Sequence, residues 1–302
     1  MPSDLVSDDP NLLITNRHGE VLPFSRGIMA TSLLATGLPT EEAYGLASSV
    51  QKALRADRRA HHDSDELVAI TSGLLRALDG GDGVVDRWLA WRAARRSGRP
   101  LVIVLTGAPG VGKSTLATRL AVRLEITRLV TSDAIREVLR TVVPDSVLPE
   151  LHESTFELIE PERTEPFARF DRQCAAVGNA MVAVASRLCT ENRSMIAEGV
   201  HLPPGVLTDA LAEHPSRPVV VERLVTASHH THLGNLDQRR RSEPLRDGDR
   251  HVDGFDRIQE IQSHLGRQAT ARHVGTIDLA AVNAMTQDLV GEIVNRLERV
   301  AA

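Results

Sequence analysis

The sequence predicts an α/β fold, in which a parallel sheet is flanked by helices and preceded by a small, mostly helical domain. Two observations lead to this prediction. After residue 98, short apolar segments alternate with helical patterns, as in sheets whose parallel strands are joined by crossover helices. Aromatic residues are only 3% of the 302 residues, so the core consists mainly of leucine, valine, isoleucine and alanine, which favours helices and buried parallel strands.

The N-terminal domain is predicted over residues 1–97. Two apolar segments, 12–15 and 21–24, flank a polar turn and predict a hairpin. Four helices are predicted after it: residues 26–36 with a stop at Gly37, a helix capped by Thr40, a helix from Ser64 to about Gly80, and a helix through Trp88 and Trp91. A polar stretch with glycine and proline, residues 94–100, predicts the boundary with the second domain.

The second domain, residues 98–302, contains five predicted strands. They cover residues 101–105, 128–130, 195–197, 218–225 and 274–277. Helices are predicted over 113–124, 133–140 and 172–190, followed by two arginine-rich helices and a closing helix from about 283 to 300. Cys174 and Cys189 lie on one predicted helix, about four turns apart, which indicates buried free thiols rather than a disulfide.

Composition argues against several classes of protein. The net charge is −5, so the chain has no overall basic field and we expect no nucleic-acid partner. No apolar segment approaches the ~20 residues of a membrane helix, and the acidic N-terminus is unlike a signal peptide. We therefore expect a cytoplasmic protein without a membrane partner.

A glycine-rich motif follows the first strand of the second domain. It fits G-x-x-x-x-G-K-[ST] at every fixed position, and its residues are Gly107, Ala108, Pro109, Gly110, Val111, Gly112, Lys113 and Ser114. Backbone N–H groups of such a loop bind phosphate oxygens, the lysine bridges the β- and γ-phosphates, and the serine hydroxyl binds Mg²⁺. We expect ATP on Gly107 to Thr115.

Lysine usage supports this interpretation. Only two of the 35 lysine and arginine residues are lysines, Lys52 and Lys113, so the chain uses lysine where a compact cation suits the loop. The N-K-x-D signature of GTPases is absent. The motif alone leaves kinases, other ATPases and nucleotide sensors open.

Acidic and basic residues follow the predicted strands, where parallel sheets bind ligands. Asp133 is a candidate to accept the proton of an attacking hydroxyl, and Glu198 is a candidate to hold Mg²⁺. Arg136 and Arg140, one turn apart, are candidates to bind an anionic substrate. Each of these residues also has a simpler interpretation: Asp133 could belong to an ordinary helix start, and Glu198 could be a surface carboxylate. His201 is as consistent with a structural residue as with a substrate contact.

An arginine cluster follows the fourth strand of the second domain. Its members are Arg239, Arg240, Arg241, Arg246 and Arg250. Arginines on a closing lid stabilise charge during phosphoryl transfer, and we take Arg240 as the catalytic candidate. The alternative is a solvated charged face.

The chain resembles the 2-phosphoglycerate kinases. The similarity lies in the segments 132–138 (SDAIREV), 151–156 (LHESTF), 198–205 (EGVHLPPG), 255–265 and 22–28 (LPFSRGI). It implies a P-loop kinase fold and Mg-ATP-dependent phosphorylation of 2-phosphoglycerate to 2,3-bisphosphoglycerate. On this basis His152 joins Arg136, Arg140 and His201 as a substrate residue.

The N-terminal domain resembles an ATP-cone, a nucleotide-binding regulatory module. It departs from the cone at three positions: Asn16 and Gly27 stand where the cone has lysines, and His18 where it has aspartate. Lost cations argue against strong nucleotide binding, so we expect a structural or substrate-covering role for this domain.

Two alternatives for the function of the protein stay open, a kinase of another small phosphorylated acid or sugar and an ATP-binding sensor. The sequence does not determine the oligomeric state.

Overall fold

The computed structural model describes residues 8–16, 19–242, 253–278, 289–293 and 296. The described residues form two compact units. One contains Met1–Ser97, Arg123–Glu125 and the described residues after Asn283, and the other contains Gly98–Val122 and Ile126–Val282. None of the helices within these ranges combines the length and the apolar character that a membrane span requires.

The first unit joins a small sheet to four helices. Strand β1 (Asp8–Thr15) pairs antiparallel with β2 (Val21–Ser25), which confirms the predicted hairpin. A third strand, β3 (His61–Asp63), pairs parallel with β1 and was not predicted, because three residues are too short for an alternating pattern. The helices are α1 (Arg26–Leu34), α2 (Thr40–Ala56), α3 (Ser64–Arg76) and α4 (Gly81–Arg96).

The helix ends of this unit differ in part from the prediction. Thr40 was predicted to cap α2 and is instead its first residue; Pro39 precedes it without a side-chain hydrogen bond to the helix. Helix α3 ends four residues early, at Arg76, and its N-terminus is held by Asp63 and Glu66 in a capping box. Helix α1 ends at Leu34, two residues before its predicted end, and Gly37, with φ of +90°, lies in the turn that follows.

The second unit is built on a five-stranded parallel sheet. Its strands are β4 (Leu101–Thr106), β5 (Leu129–Thr131), β6 (Met195–Glu198), β7 (Val219–Thr226) and β8 (Gly275–Asp278). Their order is β5-β6-β4-β7-β8, and every pair is parallel. The predicted sheet is confirmed. The carboxyl ends of all strands lie at one edge, where β4 leads into the glycine-rich loop and β6 ends on Glu198.

Helices flank this sheet. They are α5 (Lys113–Leu124), α6 (Ser132–Val142), α7 (Ala168–Thr190), α8 (Val206–Leu211), α9 (His229–Ser242) and α10 (Phe255–Ala271). Two 3₁₀ turns, Pro149–His152 and Thr155–Leu158, and the short α8 were not predicted. The predicted closing helix lies largely outside the described residues.

Helix α7 packs on the sheet through a buried apolar face. Its residues Met181, Ala185 and Cys189 join Val102 and Val104 of β4 in one core cluster. Cys174 and Cys189 are both buried free thiols on α7, as predicted. Burial raises the pKa of the Cys174 thiol well above its usual value and that of Cys189 to about 11, so neither is a reactive thiolate at neutral pH.

Candidate active site

The glycine-rich loop connects β4 to α5, as the motif requires. Gly107, Gly110 and Gly112 all have positive φ. At Gly110 a side chain is excluded in two ways, because φ is +86° and an added Cβ would lie 2.6 Å from Leu236 of α9. The loop is therefore built for backbone rather than side-chain contact with a ligand.

Lys113 and Ser114 begin α5 at the sheet edge. The Lys113 side chain is buried and donates through Nζ to the Ala108 carbonyl at 2.8 Å, so its charge lies against the loop backbone. The Ser114 hydroxyl donates to Glu198 Oε1 at 2.9 Å, although 84 residues separate the two. Thr115, the next residue of α5, is exposed.

A group of polar side chains from α9 and α10 holds the loop from another side, and we call His232, Asn235 and Gln262 the loop clasp. His232 Nε2 donates to the Pro109 carbonyl at 2.6 Å, and Asn235 Nδ2 donates to the Gly110 carbonyl at 2.9 Å. Gln262 Oε1 accepts from the Ala108 N–H at 2.7 Å.

The clasp orients the peptide planes of the loop. In a trans peptide the N–H points away from the carbonyl, so carbonyls turned towards α9 direct the following N–H groups to the opposite side. Gln259 Nε2 lies 2.8 Å from His232 Nδ1, so it donates to a neutral ring that keeps its proton on Nε2. Burial lowers the pKa of His232, as does the nearby charge of Lys113, although the bond to Pro109 opposes this.

Two carboxylates lie at the carboxyl ends of the neighbouring strands β5 and β6. Thr131 and Glu198 are register partners in the parallel pair, so Asp133, two residues after Thr131, lies near Glu198 along the sheet edge. The two differ in exposure: the Asp133 side chain is 59% exposed, whereas Glu198 is 5% exposed. Asp133 is therefore open to a ligand, and Glu198 is held against Ser114.

The end of β6 lies very close to the start of α6. Gly199 has φ of +149°, and a Cβ on it would lie 1.8 Å from the Ser132 hydroxyl oxygen. Only glycine fits between β6 and the start of α6. This contact explains why a glycine follows Glu198.

The predicted substrate residues do not share one environment. Arg136 Nη1 donates to the carbonyls of Leu151 (3.1 Å) and Glu153 (2.7 Å), which fixes its guanidinium beside the first 3₁₀ turn. Arg140 instead pairs with Glu137 at 2.9 Å, one turn along the same helix. His152 Nε2 donates to the Val143 carbonyl at 3.0 Å. Each of the three side chains is thus held by a different partner.

His201 is fully buried, which argues against the direct substrate contact expected for it. Its Nδ1 lies 2.8 Å from Ser132 Oγ and 3.8 Å from Asp133 Oδ1, and its Nε2 lies 3.0 Å from Gln173 Oε1. Burial is the main cause that lowers the pKa of His201 to about 4; Asp133 opposes it, and the charges of Arg136 and Lys113 add to it. The ring is neutral at pH 7.

Sequence reasoning missed Gln173 and the loop clasp. Gln173 is fully buried on α7 and donates to the carbonyls of Glu150 and Glu153. A buried glutamine in an amphipathic helix was the available signal, since buried amides are nearly always hydrogen-bonded.

The predicted lid arginines are described only in part. Arg241 pairs with Asp237 at 2.6 Å. Arg240 lies on α9, but its side chain, that of Arg239, and all of residues 246 and 250 lie outside the described residues.

Oxygen donors are available for a hard cation. The Ser114 hydroxyl and the Glu198 carboxylate are within hydrogen-bond distance, and both are ligand types that Mg²⁺ prefers. Across the described ranges, no three histidine, cysteine or acidic side chains gather into a metal-binding group. A two-residue donor set fits Mg²⁺, which keeps water and substrate phosphates as its other ligands.

Comparisons with known proteins show the family to which this chain belongs. A family model described as an AAA domain matches residues 102–252. A 2-phosphoglycerate kinase from Pyrococcus horikoshii is 32% identical, covering 91% of this chain and 91% of its own length, and one from Pyrococcus furiosus is 32% identical, covering 94% and 93%. Among solved structures, shikimate kinase from Acinetobacter baumannii in complex with shikimate is similar, at 16% identity and a TM-score of 0.40, covering 67% of this chain and 98% of that chain.

Proposed function

Because this chain belongs to the 2-phosphoglycerate kinase family, we propose that it transfers the γ-phosphoryl group of ATP to 2-phosphoglycerate and forms 2,3-bisphosphoglycerate. One observation carries the proposal beyond the family relationship. The Ser114–Glu198 bond and the Thr131–Glu198 register put the phosphate loop and Asp133 at the same edge of the sheet. A phosphoryl donor on the loop and an acceptor beside Asp133 would therefore be neighbours.

The loop residues would bind the nucleotide. Backbone N–H groups from Gly107 to Thr115 would bind the phosphate oxygens of ATP, with Lys113 on the β- and γ-phosphates. Ser114 and Glu198 would hold Mg²⁺, which when bound neutralises charge on the phosphates. Arg240 is our proposed lid residue, which would stabilise the charge of the transferring group.

Asp133 would act on the acceptor. The hydroxyl oxygen of 2-phosphoglycerate forms a bond to the γ-phosphorus while the bond from that phosphorus to the bridging oxygen of ADP breaks. The hydroxyl proton passes to the Asp133 carboxylate, and ADP leaves with the bond's electron pair. The 59% exposure of the Asp133 side chain supports this role, because the carboxylate is accessible to a small acceptor.

Arg136 would bind the anionic groups of the acceptor, with Arg140 and His152 as further contacts. Its Nη1 donates to two carbonyls, which fixes the orientation of the guanidinium plane. A fixed fork suits carboxylate or phosphate oxygens.

The function is tested by incubating the protein with Mg-ATP and a set of acceptors and measuring ADP release. We expect 2-phosphoglycerate to be the best substrate among phosphorylated acids, sugars and plain hydroxy acids. Faster turnover of a different phosphorylated acid or sugar would move the proposal to that acceptor. ATP binding with closure but without turnover of any acceptor would identify a sensor.

The first unit is proposed to have a structural or substrate-covering role rather than a nucleotide site. Asn16, where the ATP-cone has a lysine, donates to the Glu20 carboxylate at 2.8 Å, and its Oδ1 accepts from the Glu20 N–H at 3.0 Å. The side chain closes the turn between β1 and β2 instead of offering a cation. Equilibrium titration is expected to give one ATP per chain.

A further inference from the structure

A chain of hydrogen bonds runs from α7 to the start of α6, and we call its members Gln173, His201 and Ser132 the buried relay. Each of the three is fully buried. Gln173 Nε2 donates to two carbonyls, those of Glu150 and Glu153, the latter at 3.2 Å. Carbonyl oxygens only accept, so the amide has one orientation, with Oε1 facing His201.

The orientation of the amide determines the proton position on His201. Gln173 Oε1 accepts only, so His201 Nε2, 3.0 Å away, carries the ring proton. Thr155 Oγ1 lies 3.4 Å from the same nitrogen. In a neutral ring Nδ1 is then bare, and the Ser132 hydroxyl, 2.8 Å away, donates to it. Every polar group in the relay has one allowed direction.

The two ends of the relay lie beside the two predicted acceptor residues. Ser132 is the first residue of α6, directly before Asp133, and Gly199 packs against its hydroxyl. At the other end, the Glu153 carbonyl that accepts from Gln173 also accepts from Arg136 Nη1. The relay therefore connects the backbone that carries Asp133 to the carbonyl that orients Arg136.

We propose that Gln173 and His201 are positioning residues that hold Asp133 and Arg136 in one arrangement at the acceptor site. The inference rests on the proposed function for its kinetic consequence. The tautomer and the hydrogen bonds are properties of the folded protein and are testable without turnover.

The first experiment is independent of activity. In protein labelled with ¹⁵N-histidine, the His201 resonances, identified by their loss in His201→Gln, should report a neutral ring protonated on Nε2 at pH 7. Gln173→Leu should alter that signal by removing the acceptor. A charged ring, or a ring protonated on Nδ1, in the wild-type protein would overturn the relay.

The second experiment is steady-state kinetics on the full chain. His201→Gln keeps an amide donor towards Gln173 but loses the acceptor for Ser132, and His201→Asn does the reverse. We expect kcat to fall and the acceptor KM to rise in Gln173→Leu, by up to ~10²-fold in kcat/KM, as for other small displacements of catalytic groups. The ATP KM should stay unchanged, and the two His201 variants should lie between wild type and Gln173→Leu.

Val177→Ala is the matched control, because Val177 is fully buried on the same helix and has no polar role. It should lower the melting temperature and leave kcat and both KM values unchanged. If Gln173→Leu behaves like this control, the relay is only structural and the inference is wrong. If wild-type protein fails to phosphorylate 2-phosphoglycerate, the proposed function fails, while the histidine spectrum still decides whether the relay exists.

Discussion

The phosphate loop and the acceptor side of this protein are assembled in opposite ways. The loop consists of consecutive residues, Gly107–Ser114, whose glycines adopt positive φ and whose backbone would provide the binding groups. The proposed acceptor side takes Asp133 and Arg136 from α6, the Glu153 carbonyl from the residue after a 3₁₀ turn, Gln173 from α7 and His201 from the segment after β6. A binding site made of backbone groups can be predicted from one short sequence motif, whereas a site made of side chains depends on how distant segments pack.

The two sides also differ in how they respond to substitution. Changes in the loop should affect ATP binding, and changes on the acceptor side should affect acceptor binding, because the two sides are joined by the Ser114–Glu198 hydrogen bond and by the effect of the Lys113 charge on His201. Four of the five predictions below test that separation, and the one on His201 tests the buried relay; the largest expected effect comes first.

Lys113→Ala should abolish phosphoryl transfer, with a loss of about 10³-fold or more, because the charge against the loop backbone has no substitute. Lys113→Arg should fail as well, since the wider guanidinium does not fit beside Ala108. The measurement is ADP release together with a circular dichroism spectrum. Turnover close to wild type would refute the loop assignment.

Asp133→Asn should lower kcat by about 10²–10⁴-fold while ATP affinity stays at its wild-type value, because the carboxylate acts on the acceptor proton. ATP affinity is measured by calorimetry and kcat at saturating substrates. The opposite pattern, weaker ATP binding with unchanged kcat, would make Asp133 a nucleotide or metal contact and Glu198 the better candidate base.

Arg136→Met should raise the KM for 2-phosphoglycerate by about 10- to 150-fold, the equivalent of one charged hydrogen bond, with little change in the KM for ATP. Glycerol, which has no charge, should be a poor acceptor for the wild type. An unchanged acceptor KM, or a preference for glycerol, would show that the acceptor side does not bind an anion.

Stability should fall as the solution becomes acidic, and part of this loss should come from His201. Its pKa is about 4 in the folded protein, below the value near 6.5 of an unfolded histidine, so the unfolded chain binds more protons between these values. The stabilising contribution is complete above pH 6.5 and is lost as pH falls towards 4. Urea unfolding at pH 7 and pH 5 should give a smaller difference in His201→Gln than in wild type. Equal differences would mean that His201 is not held neutral.

Asn235→Ala removes one bond of the loop clasp and should have the smallest effect. The loss of one hydrogen bond is worth about 1 kcal/mol, so the ATP KM should rise about fivefold while the acceptor KM stays constant. Leu233→Ala, at an exposed position of the same helix, serves as the control. An equal change in the ATP KM of both variants would show that the loop clasp does not contribute to nucleotide binding.

Local pattern was sufficient for most of the fold. The five strands of the second unit lie within one residue of their predicted bounds, because buried parallel strands are continuous apolar segments next to glycine or polar residues. The short elements β3 and α8 were not predicted, because they contain too few residues for a periodic pattern of apolar side chains to appear. The predicted N-cap of α2 was wrong, because a threonine before two acidic residues is equally compatible with the N-cap position and with the first turn of the helix.

The sequence by itself determined the phosphate loop, the parallel sheet, and the positions of Asp133 just after β5 and of Glu198 at the end of β6. These follow from consecutive residues, whose backbone conformation is set by their neighbours along the chain. Only the tertiary structure decided that Gln173 meets His201, that Arg136 shares a carbonyl with Gln173, and that His232 and Asn235 bind the loop. Such contacts join segments up to 125 residues apart, and their partners depend on packing that no local pattern records.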